Sequence, residues 1–239
     1  MAASRTALIT GASRGLGLAL ARELARRGWK LVIDARGAEA LEAARTELAQ
    51  LTEVTAIAGD VADRAHRRAL VIAARAAGGL DALVNNASSL GPSPQPRLMD
   101  YPLDALEKVY RVNVIAPLAL IQTARHDLKP GAHIVNVTSD AGVQAYAGWG
   151  GYGSSKAALE QVSAILAAEN PSLRVYWVDP GDMRTQMHQE AYPGEDISDR
   201  PSPDVSVPGL IELLEGELPG GRYIAREVVA STTNTVGLK

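Results

Sequence analysis

A tyrosine and a lysine stand four residues apart in the segment Tyr152-Gly-Ser-Ser-Lys156. On a helix this spacing places both side chains on one face. A tyrosine phenol is a poor acid or base at neutral pH because its ordinary pKa is about 10, and a neighbouring ammonium lowers that pKa by stabilising the phenolate. The pair therefore predicts proton transfer by Tyr152 with help from Lys156. The alternative is an ordinary solvated surface pair.

Two further polar residues are candidates for the same site. Ser139 follows a strand-like run, and its hydroxyl is suited to polarising a substrate carbonyl. Asn113 lies four residues before Pro117, which has no N–H, so the Asn113 carbonyl should lack its helical partner and the helix should kink there. We expect that carbonyl to hold a water that links Lys156 to solvent. The alternative is a proline tolerated by a simple helix bend.

A glycine-rich turn separates the first predicted strand from the first predicted helix. Gly11 permits a tight turn, Gly15 lets the backbone approach a pyrophosphate, and Gly17 allows the helix to pack closely on the strand. The helix N-terminus that follows offers free N–H groups to phosphates. The cofactor-binding residues expected in this turn are Gly11, Ser13, Arg14, Gly15, Leu16 and Gly17. The alternative is a glycine turn with no ligand.

The end of the second predicted strand bears on which dinucleotide would bind. An acidic residue there can hydrogen-bond the adenosine ribose and favours NAD, whereas an arginine can accommodate a 2′-phosphate. This chain offers both, as Asp34 and Arg36, and Arg14 in the glycine turn is a second cation. Two cations against one carboxylate favour NADP(H) over NAD(H). The alternative is that Asp34 and Arg36 form a solvated pair at the strand end.

The elements that must position these residues alternate along the chain. Strands are predicted at 6–10, 31–33, 54–58, 82–84, 133–137, 174–178 and 222–225. Helices are predicted at 16–27, 39–51, 63–79, 104–128 and 152–169. Such alternation predicts an α/β fold: a Rossmann-type, doubly wound parallel sheet of about seven strands with helices on both faces. In such a sheet, ligands bind at the carboxyl ends of the strands.

The bulk properties limit the remaining possibilities. The 239 residues show no internal repeat or linker, which predicts one domain over 1–239. The absence of cysteine excludes disulfides and cysteine zinc sites, and the scattered histidines predict no metal site. A net charge of −3 gives no basic surface for nucleic acid. With no signal-like start and no apolar run near ~20 residues, we expect a cytoplasmic protein that does not bind membranes.

Several markers occur in order over nearly the whole chain, and with them the sequence resembles the short-chain dehydrogenase/reductase family of standard length. The markers are TGASRGLG at 10–17, Asp60-Val61, Asn85-Asn86-Ala87, Asn113, Ser139, Tyr152 to Lys156 and Pro180-Gly181. Each is weak alone. Their order, together with the gap from Ser139 to Tyr152, makes the match specific.

The resemblance implies roles for these residues. The catalytic tetrad would be Asn113, Ser139, Tyr152 and Lys156. Further cofactor contacts would come from Asp60, Val61, Asn86, Ala87, Lys156, Pro180, Gly181 and Thr185. The resemblance also implies a homodimer or homotetramer packed through the helices that begin near Asp104 and Tyr152. Three residues depart from the usual pattern of the family: Asp34, Ser88 and Asp140.

The function hypothesis is reversible reduction of a ketone or aldehyde to an alcohol by hydride transfer with NADP(H), with Tyr152 as general acid and base. The alternatives are an NAD-dependent alcohol dehydrogenase and a non-catalytic NADP(H)-sensing regulator. The substrate would be a small carbonyl or alcohol, covered by residues 144–151 and by a segment at about 183–208. Candidate walls of its pocket are Tyr146, Trp149, Met183, Met187 and Tyr192.

Overall fold

A computed structural model describes residues 4–228, which form a seven-stranded sheet in which every strand pairing is parallel. The strands are β1 (Thr6–Ile9), β2 (Lys30–Ala35), β3 (Val54–Ala58), β4 (Leu80–Asn85), β5 (Leu128–Val137), β6 (Arg174–Asp179) and β7 (Gly221–Ile224). Their order across the sheet is β3-β2-β1-β4-β5-β6-β7. The order reverses between β1 and β4, so a crevice opens at the carboxyl edge there. The predicted fold class is confirmed.

Helices cover both faces of this sheet. They are α1 (Gly15–Arg26), α2 (Ala38–Leu48), α3 (Arg64–Ala76), α4 (Leu103–Tyr110), α5 (Ala116–Ala124), α6 (Gly150–Glu169), α7 (Gln186–Ala191) and α8 (Val207–Glu215). Side chains of α1, α2 and α8 share one apolar core with the sheet, and those of α3 and α5 share a second core on the opposite face. The sheet is therefore the middle of three layers.

The first strand shows how the sequence produces two cores. Successive side chains of a strand point to opposite faces, so Ala7 and Ile9 enter one core while Leu8 enters the other. All four residues of β1 are fully buried. Burial on both faces explains why the strands are short, nearly continuous apolar runs without polar alternation.

The prediction of one long helix at 104–128 is wrong in two respects. It is interrupted by a π-helical turn at Arg111–Ile115, in which the N–H of Ala116 donates to the carbonyl of Arg111, five residues earlier. The expected disturbance near Pro117 takes this form, and Pro117 then lies in the first turn of α5, where a missing N–H costs little. Leu128 belongs to β5, because it pairs with Leu80 of β4.

The last third of the chain contains helices that the sequence patterns did not predict. The stretch 192–208 was expected to be an irregular surface excursion, yet it contains a short 3₁₀ helix at Pro203–Ser206 and leads directly into α8. The strand predicted at 222–225 begins and ends one residue earlier. None of the helices within residues 4–228 is long and apolar enough to cross a membrane.

Candidate active site

The glycine turn after β1 is held by backbone contacts that leave no space for larger residues. Gly11 has a φ of +67°, which L side chains rarely adopt. A Cβ on Gly17 would lie 2.5 Å from the carbonyl oxygen of Gly11 and 2.6 Å from Nδ2 of Asn86. That Nδ2 donates to the carbonyls of Thr10 at 2.8 Å and Gly11 at 3.1 Å. Asn86 therefore ties the end of β4 to the turn.

The N-terminus of α1 is suited to an anion. No side chain caps its first N–H groups, and no acidic residue lies in its first turn. Thr185, in the loop after β6, faces this point, since its methyl carbon lies 3.6 Å from where a Cβ of Gly15 would be. Arg14 is exposed and hydrogen-bonds Gln186 at the start of α7. Free N–H groups at a helix N-terminus beside an arginine can hold the phosphates of a dinucleotide.

The side chain of Asp34 points beneath the turn and not towards solvent. It is 1% exposed; one of its oxygens accepts from the N–H of Gly11 at 2.8 Å, and the other lies 2.9 Å from Nε2 of His66. His66 packs so tightly on Gly59 that a Cβ there would be 2.3 Å from the imidazole. The alternative in which Asp34 is a solvated carboxylate is therefore wrong, because the side chain is buried and both of its oxygens have partners within the protein.

The loop after β3 forms the other wall at this edge. Asp60 turns back on its own loop and accepts from the N–H of Ala62 at 2.8 Å. Val61 is buried, and its carbonyl accepts from the guanidinium of Arg67. Arg36, one residue beyond β2, is exposed, and its guanidinium has no hydrogen-bond or ion-pair partner within residues 4–228. It is available to an anionic group on a ligand.

The structure brings Ser139, Tyr152 and Lys156 to the carboxyl edge of β5. Both Tyr152 and Lys156 lie near the start of α6 and are almost fully buried. The ammonium of Lys156 donates to the carbonyl of Val137 at 2.8 Å and lies 5.4 Å from the centre of the Tyr152 ring. The spacing argument for one helical face therefore holds.

Burial controls the pKa values of this pair. It lowers the pKa of Lys156 to about 7, a shift that nearby Glu160 partly opposes. It also raises the pKa of Tyr152 well above its ordinary range, and the negative charge of Asp179 adds to that rise. The hydroxyls of Ser139 and Ser88 act in the opposite direction. The expectation that Lys156 lowers the Tyr152 pKa is therefore wrong for this structure, because burial governs the shift and Lys156 is not among its causes.

Asn113 lies at the centre of the π turn, where its side chain joins three segments. Its Oδ1 accepts from the N–H of Ser89 at 2.7 Å and from the hydroxyl of Ser88 at 3.1 Å. Its Nδ2 donates to the carbonyl of Ser89 and to Oγ of Ser155, both at 2.9 Å. Asn113 therefore holds the loop after β4 against α6, next to Tyr152.

Ser139 belongs to a short polar chain at the mouth of the site. Its hydroxyl donates to Oδ1 of Asp140 at 2.9 Å, and the hydroxyl of Tyr146 donates to Oδ2 of the same carboxylate at 2.8 Å. The Ser139 hydroxyl also accepts from the N–H of Ala141 at 3.2 Å. The Asp140 side chain is exposed to solvent beside the serine.

A cavity of about 290 Å³ opens over Ser139 and Tyr152. The five residues expected to form its walls, Tyr146, Trp149, Met183, Met187 and Tyr192, all line it. Pro180, Gly181 and Thr185 line it too, on the side towards the glycine turn. Thr185 thus belongs both to the cavity over the Ser139–Tyr152 pair and to the surroundings of Gly15.

Sequence patterns missed several polar groups at the site. Asp179 is buried at the end of β6, where burial raises its pKa and the N–H of Gly181 donates to it at 2.8 Å. Thr138 is 1% exposed, and its hydroxyl has no partner among residues 4–228. Their position after strands β6 and β5 was a usable signal, because polar residues at strand ends collect at this edge. The same described residues contain no group of three or more acidic or histidine side chains arranged to hold a metal ion.

Comparison with known proteins matches residues 5–196 to the short chain dehydrogenase family model. The chain is 37% identical to a rhamnolipids biosynthesis 3-oxoacyl-[acyl-carrier-protein] reductase from Pseudomonas aeruginosa, over 96% of this chain and 87% of that protein. A short chain dehydrogenase from Pseudomonas syringae superposes with a TM-score of 0.86 at 30% identity, over 92% and 94% of the two chains. An alcohol dehydrogenase from Thermococcus sibiricus complexed with 5-hydroxy-NADP superposes with a TM-score of 0.83 at 28% identity, over 92% and 95%.

Proposed function

The chain belongs to the short chain dehydrogenase family of NAD(P)-dependent oxidoreductases, and on this premise we propose that it reversibly reduces a ketone or aldehyde to an alcohol with NADP(H). The observation that carries the proposal is the placement of Ser139 and Tyr152 on one cavity, with Lys156 buried beside the Tyr152 ring. Thr185 lines the same cavity and lies beside Gly15 of the glycine turn. The turn fits a dinucleotide, since its glycines leave room for a close backbone approach and the start of α1 has no side-chain cap.

The chain's own residues handle the proton. When bound, the nicotinamide supplies or accepts a hydride at the carbonyl carbon, which is the chemistry of the cofactor. Tyr152 donates its phenolic proton to the carbonyl oxygen in reduction and takes it back in oxidation. The Ser139 hydroxyl, which donates to Asp140 in the structure, rotates to donate a hydrogen bond to the same oxygen and so polarises the carbonyl.

Lys156 and Asn113 support that proton transfer. A pKa of about 7 lets Lys156 gain or lose a proton near neutral pH, so it can resupply Tyr152 after each reduction. Asn113 fixes the position of the loop after β4 through Ser88 and Ser89. A water on the main-chain carbonyl of Asn113, in the π turn, would complete the path from Lys156 to solvent.

The raised pKa of Tyr152 bears on the direction of the reaction. A phenol whose pKa lies above its ordinary value is protonated at neutral pH and is ready to act as an acid. Alcohol oxidation would instead require the phenolate, which burial and the charge of Asp179 both disfavour. These two effects favour the protonated phenol, which is the form of Tyr152 that carbonyl reduction requires.

The preference for NADP(H) rests on the two basic residues at the glycine turn. Because Asp34 is occupied by Gly11 and His66, it is not free to bind the adenosine ribose. Arg36 is exposed and unpartnered among the described residues, and Arg14 lies at the start of α1. Both cations favour a 2′-phosphate on the ribose. We assign Asp60 and Val61 to the adenine, and Asn86 and Ala87 to the wall beside the ribose.

The segment at about 183–208 is proposed to cover the substrate. Its helix α7 places Met187 and His188 against the cavity, and Tyr192 follows at the end of that helix. Its 3₁₀ helix joins the site through Ser206, whose hydroxyl donates to the carbonyl of Pro180 at 2.6 Å. The segment thus contacts both the cavity and the Pro180-Gly181 turn.

We also propose a homodimer or homotetramer. Leu103 on α4 and Ile165 on α6 are 73% and 46% exposed, and Ile115 between α4 and α5 is 55% exposed. Apolar side chains so exposed on neighbouring helices favour burial against another copy. Light scattering coupled to size exclusion tests this, and a strictly monomeric mass at micromolar concentration would contradict it.

The decisive experiment on the activity replaces Tyr152 with Phe. Turnover of NADPH with a ketone panel should fall by about a thousandfold or more, because the proton donor is lost while the ring is retained. NADPH binding, measured by nicotinamide fluorescence, should change less than about threefold. Turnover near the original level would refute the role of Tyr152, and binding without turnover in the unmodified protein would favour the NADP(H)-sensing alternative.

A further inference from the structure

We propose that the cavity selects a ketone carrying a positively charged amine one or two carbons from the carbonyl, held by Asp140 and the aromatic wall around Trp149. The proposal deepens the carbonyl reduction proposed above and rests on it. It concerns the side of the cavity away from the glycine turn. Two independent features support it: the charge of the lining and the aromatic enclosure.

The lining of the cavity is acidic. Asp140, Asp179 and Asp182 contribute to it, whereas within residues 4–228 no lysine or arginine does. Two of the carboxylates are close to an arginine that lies outside the cavity: Arg222 is 3.9 Å from Asp179, and Arg200 is 3.9 Å from Asp182. Their charges are therefore partly balanced by the protein.

Asp140 is the carboxylate without such compensation. Its hydrogen-bond partners among the described residues are the hydroxyls of Ser139 and Tyr146 and the N–H of Ala141, none of which carries a charge. No cation within the described part of the chain forms an ion pair with it. A ligand cation is the natural partner of a carboxylate that faces a cavity under these conditions.

Aromatic side chains enclose the same region. Trp149 lies at the centre, with its ring 6.4 Å from Tyr146, 5.8 Å from Tyr152 and 5.9 Å from Tyr192. A group of electron-rich rings beside a carboxylate is the arrangement that attracts alkylammonium groups, because the ring faces carry partial negative charge. A neutral apolar substrate would gain contact area from these rings but nothing from Asp140.

The geometry sets the position of the cation relative to the carbonyl. Ser139 is to bind the carbonyl oxygen, and its hydroxyl lies 2.9 Å from Oδ1 of Asp140. The other oxygen of Asp140 faces Tyr146. A cation in contact with that oxygen is only a few ångströms from the reacting carbonyl, which a spacing of one or two carbons satisfies. Carboxylate or sulfonate substrates would be repelled from the same position.

A matched pair of ketones tests the proposal. One is acetone bearing a trimethylammonium group on one methyl carbon, and the other is its tert-butyl isostere, 4,4-dimethylpentan-2-one. They differ in charge and hardly in shape. The ammonium also makes the carbonyl more reactive. The informative quantity is therefore the charge preference, defined for each protein as kcat/KM for the cationic ketone divided by kcat/KM for the neutral ketone. Comparing the charge preference of the unmodified enzyme with that of a variant cancels the intrinsic reactivity of the ketones.

The variant is Asp140→Asn, and its control is Asp104→Asn. The charge preference, the ratio of kcat/KM for the cationic ketone to that for the neutral ketone, should be about tenfold lower in Asp140→Asn than in the unmodified enzyme, because a close charge pair is lost. In Asp104→Asn it should change less than about twofold. Asp104 is 77% exposed on α4 and does not line the cavity. An unchanged ratio in Asp140→Asn, or an equal fall in both variants, would overturn the proposal.

A binding measurement separates this proposal from the activity on which it rests. Isothermal titration of both ketones into the protein saturated with NADP⁺ requires no turnover, and the cationic ketone should bind at least about tenfold more tightly. Cation-selective binding without reduction of any ketone would leave the cavity assignment standing and refute carbonyl reduction. Reduction of the tert-butyl ketone with no preference for the cationic ketone would support carbonyl reduction and refute the cavity assignment.

Discussion

The two halves of the site are built differently. The cofactor half, at the ends of β1, β2 and β4, is held by backbone atoms and by buried or half-buried polar side chains such as Asp34 and Asn86. The substrate half consists of Asp140 to Trp149 and the segment around α7, and its contacts are mostly between exposed or half-buried side chains. The comparison teaches that one half tolerates almost no change in shape, whereas the other can vary without disturbing the sheet.

The largest difference between the halves should follow from filling the space beside the glycine turn. In Gly17→Ala the new methyl would meet the Gly11 carbonyl at 2.5 Å, so either α1 or the turn must shift. We expect a loss of about 3 kcal/mol in the free energy of unfolding and loss of NADPH binding, measured by thermal denaturation and nicotinamide fluorescence. The matched control is Gly221→Ala, where the nearest atom lies 3.6 Å away and stability should change by less than about 0.5 kcal/mol. Equal effects of the two changes would contradict the rigid view of the cofactor half.

A second comparison lies within the cofactor half. Arg36→Ala should lower kcat/KM for NADPH by about 10 to 100-fold and leave that for NADH nearly unchanged, since only the 2′-phosphate is affected. Asp34→Asn should weaken both cofactors together, because Asp34 supports the N–H of Gly11 and does not contact the ribose. Steady-state kinetics with both cofactors measures the ratio of kcat/KM for NADPH to kcat/KM for NADH. A rise of this ratio in Asp34→Asn would show that the carboxylate contacts the ribose.

Lys156 lies where the halves meet, and its burial makes stability depend on pH. Its pKa is about 7 in the folded protein, below its ordinary value of 10.5, so the unfolded chain binds more protons between those values. The free energy of unfolding should therefore rise with pH from about 7 to about 10, by up to ~1.4 kcal/mol per pH unit. Chemical denaturation at several pH values measures this slope against Lys156→Met, in which this contribution is absent. Identical slopes in the two proteins would contradict the lowered pKa.

The smallest effect is expected in the substrate half. Met187 lines the cavity from α7 and is only half-buried, so Met187→Ala should raise KM for 4,4-dimethylpentan-2-one by about fivefold through lost apolar contact. KM for NADPH and the melting temperature should remain close to those of the unmodified protein. A large change in KM for NADPH would show that Met187 belongs to the cofactor half and would contradict the division of the site into a cofactor half and a substrate half.

The cofactor half was largely predictable because its signals are local. Short apolar runs followed by glycine or asparagine located the strands and the turn, and the four-residue spacing of Tyr152 and Lys156 placed both on one face of α6. The orientation of Asp34 was not predictable in this way. It depends on His66, 32 residues later in the chain, which reaches it only once β2 and β3 have paired.

The substrate half and the helix ends depended on contacts that sequence patterns do not show. The helix predicted to reach Leu128 ends at Ala124, because Leu128 is taken into the sheet beside Leu80. The four prolines in 192–208 suggested an irregular segment, yet two of them, Pro203 and Pro208, stand at the starts of short helices, where a missing N–H costs little. Asp179 and Thr138 could have been noted as polar strand ends, but their burial follows only from the assembled cavity.

The π turn at Arg111–Ile115 has a consequence for the phase of the two helices it joins. Each residue advances a regular helix by about 100°, so the one extra residue in this turn offsets every side chain of α5 from the face that α4 would have continued. That offset lets α5 pack on α3 beneath the sheet while Asn113 points at the loop after β4. Deleting a single residue here would restore a regular helix and turn Asn113 away, so the length of this one turn, as much as the identity of Asn113, aligns the loop with α6.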